Sequence, residues 1–179
     1  QLSDAAFIRE KVPMTKEEIR HVSICKLHLT SDSVLYDVGS GTGSIAVEAA
    51  SLSDDMEVYA IEQKENAVQL ITQNKEKHGL ENIHVITAKA PDGMDTLPVP
   101  THAFIGGSSG NLKEIIEALK AKNPHIRIVI NAISMETICE IKEILSAYDV
   151  KNEDIVQLQV SRSKQIGHYH LMQAENPVW

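Results

Sequence analysis

A chain of 179 residues, 42% hydrophobic and 23% charged, fits one domain with a sizeable core. Its net charge of −8 excludes a nucleic-acid protein working through a broad basic surface, though not a nucleotide held by backbone groups. No apolar run reaches the roughly 18 residues of a membrane span, no leader precedes a cleavage site, and the expected location is cytoplasmic.

The amino-terminal region, residues 1–30, is expected to be a helical cap. Within it, TKEEIRHVSICKL (Thr15 to Leu27) spaces Ile19, Val22, Ile24 and Leu27 as a helix, with Thr15 and Glu18 as a T-x-x-E capping box after Pro13. A core then follows over residues 31–179, and the whole chain 1–179 is expected to act as one domain. SVLYDV predicts a strand, SIAVEAASL a helix, EVYAIE a strand, KENAVQLITQNKEKHG a helix closed by Gly79, and NIHVITA a third strand. After a loop rich in Pro and Asp come the strand THAFIGG, the helix NLKEIIEALKAK, the strand RIVINAI and the helix METICEIKEILSAY. IVQLQVSR and GHYHLMQA alternate and have no helix between them, so they read as an antiparallel edge pair. The expectation is therefore an α/β fold with a mostly parallel seven-stranded sheet, an antiparallel edge hairpin and flanking helices. Cys25 and Cys139 belong to no CxxC or Cys/His cluster, so no metal is expected, and both read as buried free thiols in a reducing compartment. The start at Gln1 and the end at Trp179 read either as those of a trimmed chain or as those of a domain cut from a longer polypeptide.

Ligands of such sheets lie beyond the carboxyl ends of the strands, which directs attention to the loops there. The first is Asp37-Val38-Gly39-Ser40-Gly41-Thr42-Gly43. A dinucleotide fingerprint needs G-x-G-x-x-G, but Ser44 stands where its third glycine belongs, and no Gly-Lys-Ser/Thr of a P-loop follows. The D-x-G-x-G-x-G form instead resembles motif I of class I S-adenosylmethionine-dependent methyltransferases, whose fold is Rossmann-like. An acid ending the second strand of that family binds the cofactor ribose. Glu62 stands at that place, and a carboxylate can accept two hydroxyl hydrogen bonds.

Three further stretches narrow the resemblance: KVPMTKEEIR (Lys11 to Arg20), AKAPDGM (Ala88 to Met94) and FIGGSSGNL (Phe104 to Leu112). With YDVGSGTGSIAVEAA they closely resemble the decarboxylating precorrin methyltransferases of cobalamin biosynthesis, from Phe7 to about Ile133. That family occurs as a free subunit and as the carboxyl-terminal half of a fused two-methyltransferase protein, so a second precorrin methyltransferase domain, fused or paired, is an implied partner. The resemblance implies a homo-oligomer, often a tetramer. It implies S-adenosylmethionine as cofactor, with Thr15, the loop Gly39, Ser40, Gly41, Thr42 and Gly43, the ribose acid Glu62, and Ala90 beside the adenine. Lys89 departs from the acidic residue frequent at its position, which puts the side-chain part of the adenine contact in doubt. Thr15 reads either as a helix cap or as a cofactor neighbour, and one hydroxyl can be both.

The implied reaction methylates a ring carbon of a tetrapyrrole and removes carbon dioxide from one acetate. The sequence shows neither a Ser/His/Asp set nor paired carboxylates, so positioning is expected to carry catalysis, through Gly106, Gly107, Ser108 and Asn111. An acidic protein must hold a polyanionic substrate through local donors. Backbone amides and hydroxyls of residues 106–111 are candidates, as are Arg162, Lys164, His168 and His170 near the last hairpin. His168 and His170 would alternate onto one strand face, where a solvated edge is the competing reading. Three rival functions stand beside this one: methylation of another small molecule or RNA, a non-catalytic cofactor-binding module of a larger complex, and a nicotinamide oxidoreductase. The absence of an Asn/Asp-Pro-Pro-aromatic string after the fourth strand weighs against base methylation and a nucleic-acid partner.

Overall fold

The computed structural model describes residues Gln1 to Trp179 and divides them into two compact units, Gln1–Ile130 and Asn131–Trp179. The first begins with a 3-10 turn at Asp4–Ala6. It continues through α1 (Glu17–Leu27), β1 (Val34–Val38), α2 (Ser44–Ala50), β2 (Glu57–Glu62), α3 (Glu65–Lys77) and β3 (Ile83–Thr87). It ends with β4 (His102–Ile105), α4 (Leu112–Lys122) and β5 (Arg127–Ile130). The strands lie in the order β3-β2-β1-β4-β5 and every pairing is parallel. Chain order reverses between β1 and β4, so the switch-point crevice opens where the glycine loop after β1 faces the loop after β4.

Burial follows from this order. Leu35, Tyr36, Asp37 and Val38 of the central strand β1 are all buried, because helices cover both faces. Helix α2 is buried on every side, which its composition permits: Ala46, Ala49 and Ala50 let neighbours close in while Ile45 and Val47 fill space. Burial of Ile45 and of Val47 contributes roughly 2 kcal/mol of transfer free energy each. One acid, Glu48, sits in this helix and is equally buried, so it must be matched by charge or hydrogen bonds.

The match comes from Arg20 on α1, whose side chain has no exposed surface. The expected apolar stripe of α1 is thereby modified. Ile19, Arg20, Ser23 and Leu27 are buried, while Val22 and Ile24 are half-buried. Ser23 satisfies its hydroxyl by donating to the Ile19 carbonyl at 2.7 Å. Cys25 lies on the face away from that stripe and is exposed, as is Cys139, which corrects the expectation of buried thiols.

The second unit holds α5 (Met135–Ala147), β6 (Ser161–Ile166) and β7 (Tyr169–Ala174). Ser134 caps α5, its hydroxyl oxygen accepting from the Thr137 amide at 3.2 Å. Strands β6 and β7 form a two-stranded sheet of their own. The seven-stranded expectation is thus corrected to a five-stranded parallel sheet and a separate antiparallel hairpin. The reason lies in the strands: every residue of SRSKQI and YHLMQA is exposed, and neither strand offers the continuous apolar run of a sheet interior. No helix is long and apolar enough to cross a membrane.

Candidate functional site

Four loops from the carboxyl ends of β1 to β4 meet in the first unit. The loop after β1 turns through glycines with φ of +70° at Gly39, +58° at Gly41 and +78° at Gly43. Gly39 has a second requirement besides its dihedral. A Cβ there would run into the Gly107 carbonyl oxygen and lie 2.8 Å from the Gly107 nitrogen and 2.9 Å from its Cα. The Gly106 amide donates to the Val38 carbonyl at 3.0 Å, so the loops after β1 and β4 touch backbone to backbone. At Gly107 itself an added Cβ would meet nothing within 4 Å, so its free side is open.

Glu62 ends β2, and both of its carboxylate oxygens are used. Oε2 accepts from the Gly41 amide at 2.9 Å, and Oε1 accepts from the Gln63 and Lys64 amides at 2.9 Å each. The acid expected to meet ribose hydroxyls therefore also fixes the glycine loop against the start of α3. Charge-assisted bonds of this kind are stronger than neutral ones; two carboxylate oxygens offer about four acceptor positions, three are taken, and about one is left, on Oε2.

Asp37 begins the motif and is buried. Its Oδ2 accepts from the Ser40 hydroxyl at 2.6 Å and from the Ala46 amide at 3.2 Å, while Oδ1 is buried without a partner. Burial pushes its carboxyl up to about 7; the Ser40 and Ala46 bonds oppose that rise, and the Glu62 charge adds to it. Thr42 Oγ1 is likewise buried without a partner. Two orphaned polar atoms, one at the end of β1 and one in the glycine loop, are uncommon in a purely structural turn.

The loop after β3 carries Ala90, which is buried, and its carbonyl accepts from Asn111 Nδ2 at 3.0 Å. Asn111 is the residue before α4, yet its side chain makes no cap bond and spans to the β3 loop instead. Gln63 Nε2 donates to the Ser109 hydroxyl at 2.6 Å, joining the loops after β2 and β4. Ser108 contributes its carbonyl to the Asn111 amide at 3.0 Å. Gly106, Gly107, Ser108 and Asn111 thus share one ledge with Gly39 and Ala90.

Thr15 departs from its expected capping role. Helix α1 starts at Glu17 with Lys16 as N-cap and no side-chain cap bond. The Thr15 carbonyl instead accepts from Arg20 Nη1 at 2.8 Å, a side-chain bond rather than an intrahelical one. The segment before it lies on the glycine loop, where a Cβ at Gly41 would come within 3.2 Å of the Pro13 carbonyl oxygen. Sequence reasoning missed Arg20, Gln63 and the unpartnered oxygen of Asp37. Only Asp37 had a signal, as the first letter of its motif.

The basic candidates of the hairpin lie in the second unit and do not form one cluster. In the β6–β7 register Arg162 and Lys164 stand on one face and His170 on the other. His168 is in the connecting turn, and Arg162 pairs with Glu175 at 3.1 Å, both partly exposed. The solvated-edge reading of the two histidines accounts for this arrangement.

Comparison with known proteins follows the same lines. A family model described as precorrin methyltransferase domain matches residues 5–179. A cobalt-precorrin-6B C(15)-methyltransferase (decarboxylating) of Salmonella typhimurium is 35% identical over 99% of this chain and 93% of its own. The crystal structure of a precorrin-6y C5,15-methyltransferase from Geobacter metallireducens superposes with a TM-score of 0.90 at 34% identity, covering 98% of this chain and 91% of that one. A precorrin 8w decarboxylase from Methanobacterium thermoautotrophicum gives 0.89 at 32% identity, over 99% and 96%. The five-stranded parallel sheet with its flanking helices is a class I methyltransferase fold, and this chain belongs to the precorrin methyltransferase family.

Proposed function

We propose that this chain methylates a ring carbon of a precorrin or cobalt-precorrin with S-adenosylmethionine and couples the transfer to loss of carbon dioxide from an acetate side chain. The observation that carries the reading is the backbone contact between Gly39 and Gly107 at the switch point. It sets a donor loop and an open ledge side by side. The loop fits the donor chemically: Glu62 keeps about one acceptor position, on Oε2, for a ribose hydroxyl, and the orphaned Asp37 Oδ1 is a buried polar atom open to a hydrogen-bonding group.

In that role Gly39, Ser40, Gly41, Thr42 and Gly43 cradle the cofactor, with Glu62 toward its ribose and Ala90 toward its adenine. Bound there, the cofactor supplies an electrophilic methyl group. Gly106 to Ser108 and Asn111 position the tetrapyrrole, and ordering two reactants at roughly 3 to 3.5 Å contributes several kcal/mol. The ring carbon gives its electron pair to the new bond to methyl, and the bond that held the methyl would break with its pair left on the sulfur of the departing thioether. In the decarboxylation the bond to the carboxylate breaks, its pair enters the conjugated ring, and the former acetate carbon gains a proton. No side chain on the ledge is a strong base, so the substrate's own conjugation serves as electron sink.

Residues 1–179 are proposed to act as one functional domain and to associate with further copies. In the hairpin register Ile166, Tyr169 and Leu171 share one face and are exposed, which supports a self-association surface. The test of function is mass spectrometry of a precorrin-6B or cobalt-precorrin-6B incubation with the methyl donor. One methyl gained with one carbon dioxide lost is the expected product; an unchanged tetrapyrrole in the presence of bound donor would overturn the reading.

A further inference from the structure

Asn74 has no exposed surface, although it sits in the polar carboxyl-terminal half of α3. A buried carboxamide in a helix must find partners, and the partners here are informative. Its Oδ1 accepts from the Ile8 amide at 2.7 Å, and its Nδ2 donates to the Ile8 carbonyl at 2.8 Å. The same Nδ2 donates to the Thr42 carbonyl at 2.8 Å. One side chain thus clasps both backbone groups of Ile8 in the amino-terminal segment and a carbonyl of the glycine loop. Three bonds use both amide hydrogens and one acceptor site, a nearly complete set for a carboxamide.

The amino-terminal segment is held a second time, farther along. Arg20 donates to the Thr15 carbonyl at 2.8 Å and to Asp4 Oδ1 and Glu48 Oε2 at 3.2 Å each, and its guanidinium carbon lies 4.6 Å from the Phe7 ring centre. Between the two fixed points, Ile8 and Thr15, the Pro13 carbonyl lies on Gly41. The segment is therefore a strap across the cofactor loop, and Asn74 is the side chain that bonds strap and loop at once.

We infer that Asn74 is a positioning residue for the cofactor loop: it fixes the Gly41–Gly43 backbone relative to the Ile8–Thr15 strap, and cofactor affinity depends on that relation. The inference rests on the proposed cofactor site. It requires coupling to be reciprocal, so that ligand at the loop also holds the strap. Asn74→Asp is nearly isosteric, keeps the acceptor for the Ile8 amide, and turns the donor toward two carbonyls into a second acceptor.

The test has two readouts. Limited trypsin digestion at Arg9 and Lys11, both exposed, reads the strap without any ligand. Calorimetry with S-adenosylhomocysteine reads the loop and separates dissociation constant from stoichiometry. The expected result for Asn74→Asp is faster cleavage at Arg9 and Lys11, together with a dissociation constant weakened about tenfold or more at unchanged stoichiometry. Saturating ligand should slow strap cleavage in the wild type and do so less in the variant. A merely structural role would lower the stoichiometry and leave the constant alone, and that outcome overturns the inference, as does wild-type behaviour in both assays. Should Asn74→Asp fail to fold, Asn74→Ser, uncharged and too short to bridge both peptides, is read by the same two criteria. A wild-type chain that binds no S-adenosylhomocysteine sinks the cofactor site itself, whereas wild-type binding with an unaffected variant sinks only the positioning role.

Discussion

Three glycines separate the two reasons for glycine in this fold. At Gly79 an alanine meets φ of +63° and no neighbour within 4 Å, so its cost is conformational alone, about 1 to 2 kcal/mol. At Gly107 an alanine meets no neighbour within 4 Å, and it should stay within about 0.5 kcal/mol of wild type. At Gly39 both penalties apply. The dihedral is +70°, and the new Cβ lies 2.9 Å from the Gly107 Cα, short of the roughly 3.5 Å of an ordinary carbon contact. The loops must part by at least about 0.6 Å to relieve this, and further to clear the Gly107 carbonyl oxygen. Bonds from the Gly39 and Ser40 amides to the Ile61 carbonyl, at 3.0 and 3.2 Å, resist that movement. Overpacking of this kind adds about 1 to 3 kcal/mol, so Gly39→Ala should lose about 2 to 5 kcal/mol. For a chain of this size that is a fall in Tm of roughly 5 to 15 °C. Thermal and urea melts of the three variants decide the matter. If Gly39→Ala melts no lower than Gly79→Ala, the backbone contact between the two loops does not exist as described.

Three other perturbations follow from the same geometry. Asp37 is raised from 3.8 to about 7 in the fold, so its proton is held more tightly by the folded chain, and its stabilising contribution present below pH 3.8 is lost as pH rises to about 7. Asp37→Asn should abolish that slope, and urea midpoints at pH 5 and pH 8 should show the variant gaining on wild type at the higher pH. Arg20→Met takes from the buried Glu48 its nearest charge partner and should lose about 3 to 5 kcal/mol, with part recovered in the double variant Arg20→Met, Glu48→Leu; equal stability of single and double variants in urea would contradict the pairing. Glu62→Gln places a donor against amides that now donate to a carboxylate, so S-adenosylhomocysteine should bind about tenfold or more weakly by calorimetry, and unchanged affinity would remove Glu62 from the site.

Much of this was legible because the informative residues are local in sequence. Strand β1, the glycine loop and α2 form one contiguous string, and the apolar run, the glycines and the return of helical spacing each follow from short-range sterics. Glu62 was legible for the same reason, as the last residue of a strand. What pattern could not show is what a loop touches. Gly39 reads as a turn or a ligand cradle, yet its tightest constraint is Gly107, sixty-eight positions away in the chain. Thr15 carries a capping signal, yet Lys16 is the N-cap and the Thr15 carbonyl accepts from the Arg20 side chain. Asn74 lies among polar residues, where an exposed helix face is the natural expectation, and only packing against the amino-terminal segment buries it. The final two strands pair with each other as their alternation suggests, but alternation does not say which sheet they join, and they form a two-stranded sheet of their own.

The central claim is that the loop from Gly39 to Gly43, with Glu62, holds the methyl donor so that its reactive end points at the Gly106–Ser108 ledge. A crystal structure of the chain soaked with S-adenosylhomocysteine tests this most directly. The account predicts a ribose hydroxyl within hydrogen-bond distance of Glu62 Oε2 and the thioether sulfur on the Gly107 side of the loop. Ligand density bound elsewhere, or bound here with its sulfur turned away from that ledge, would contradict it.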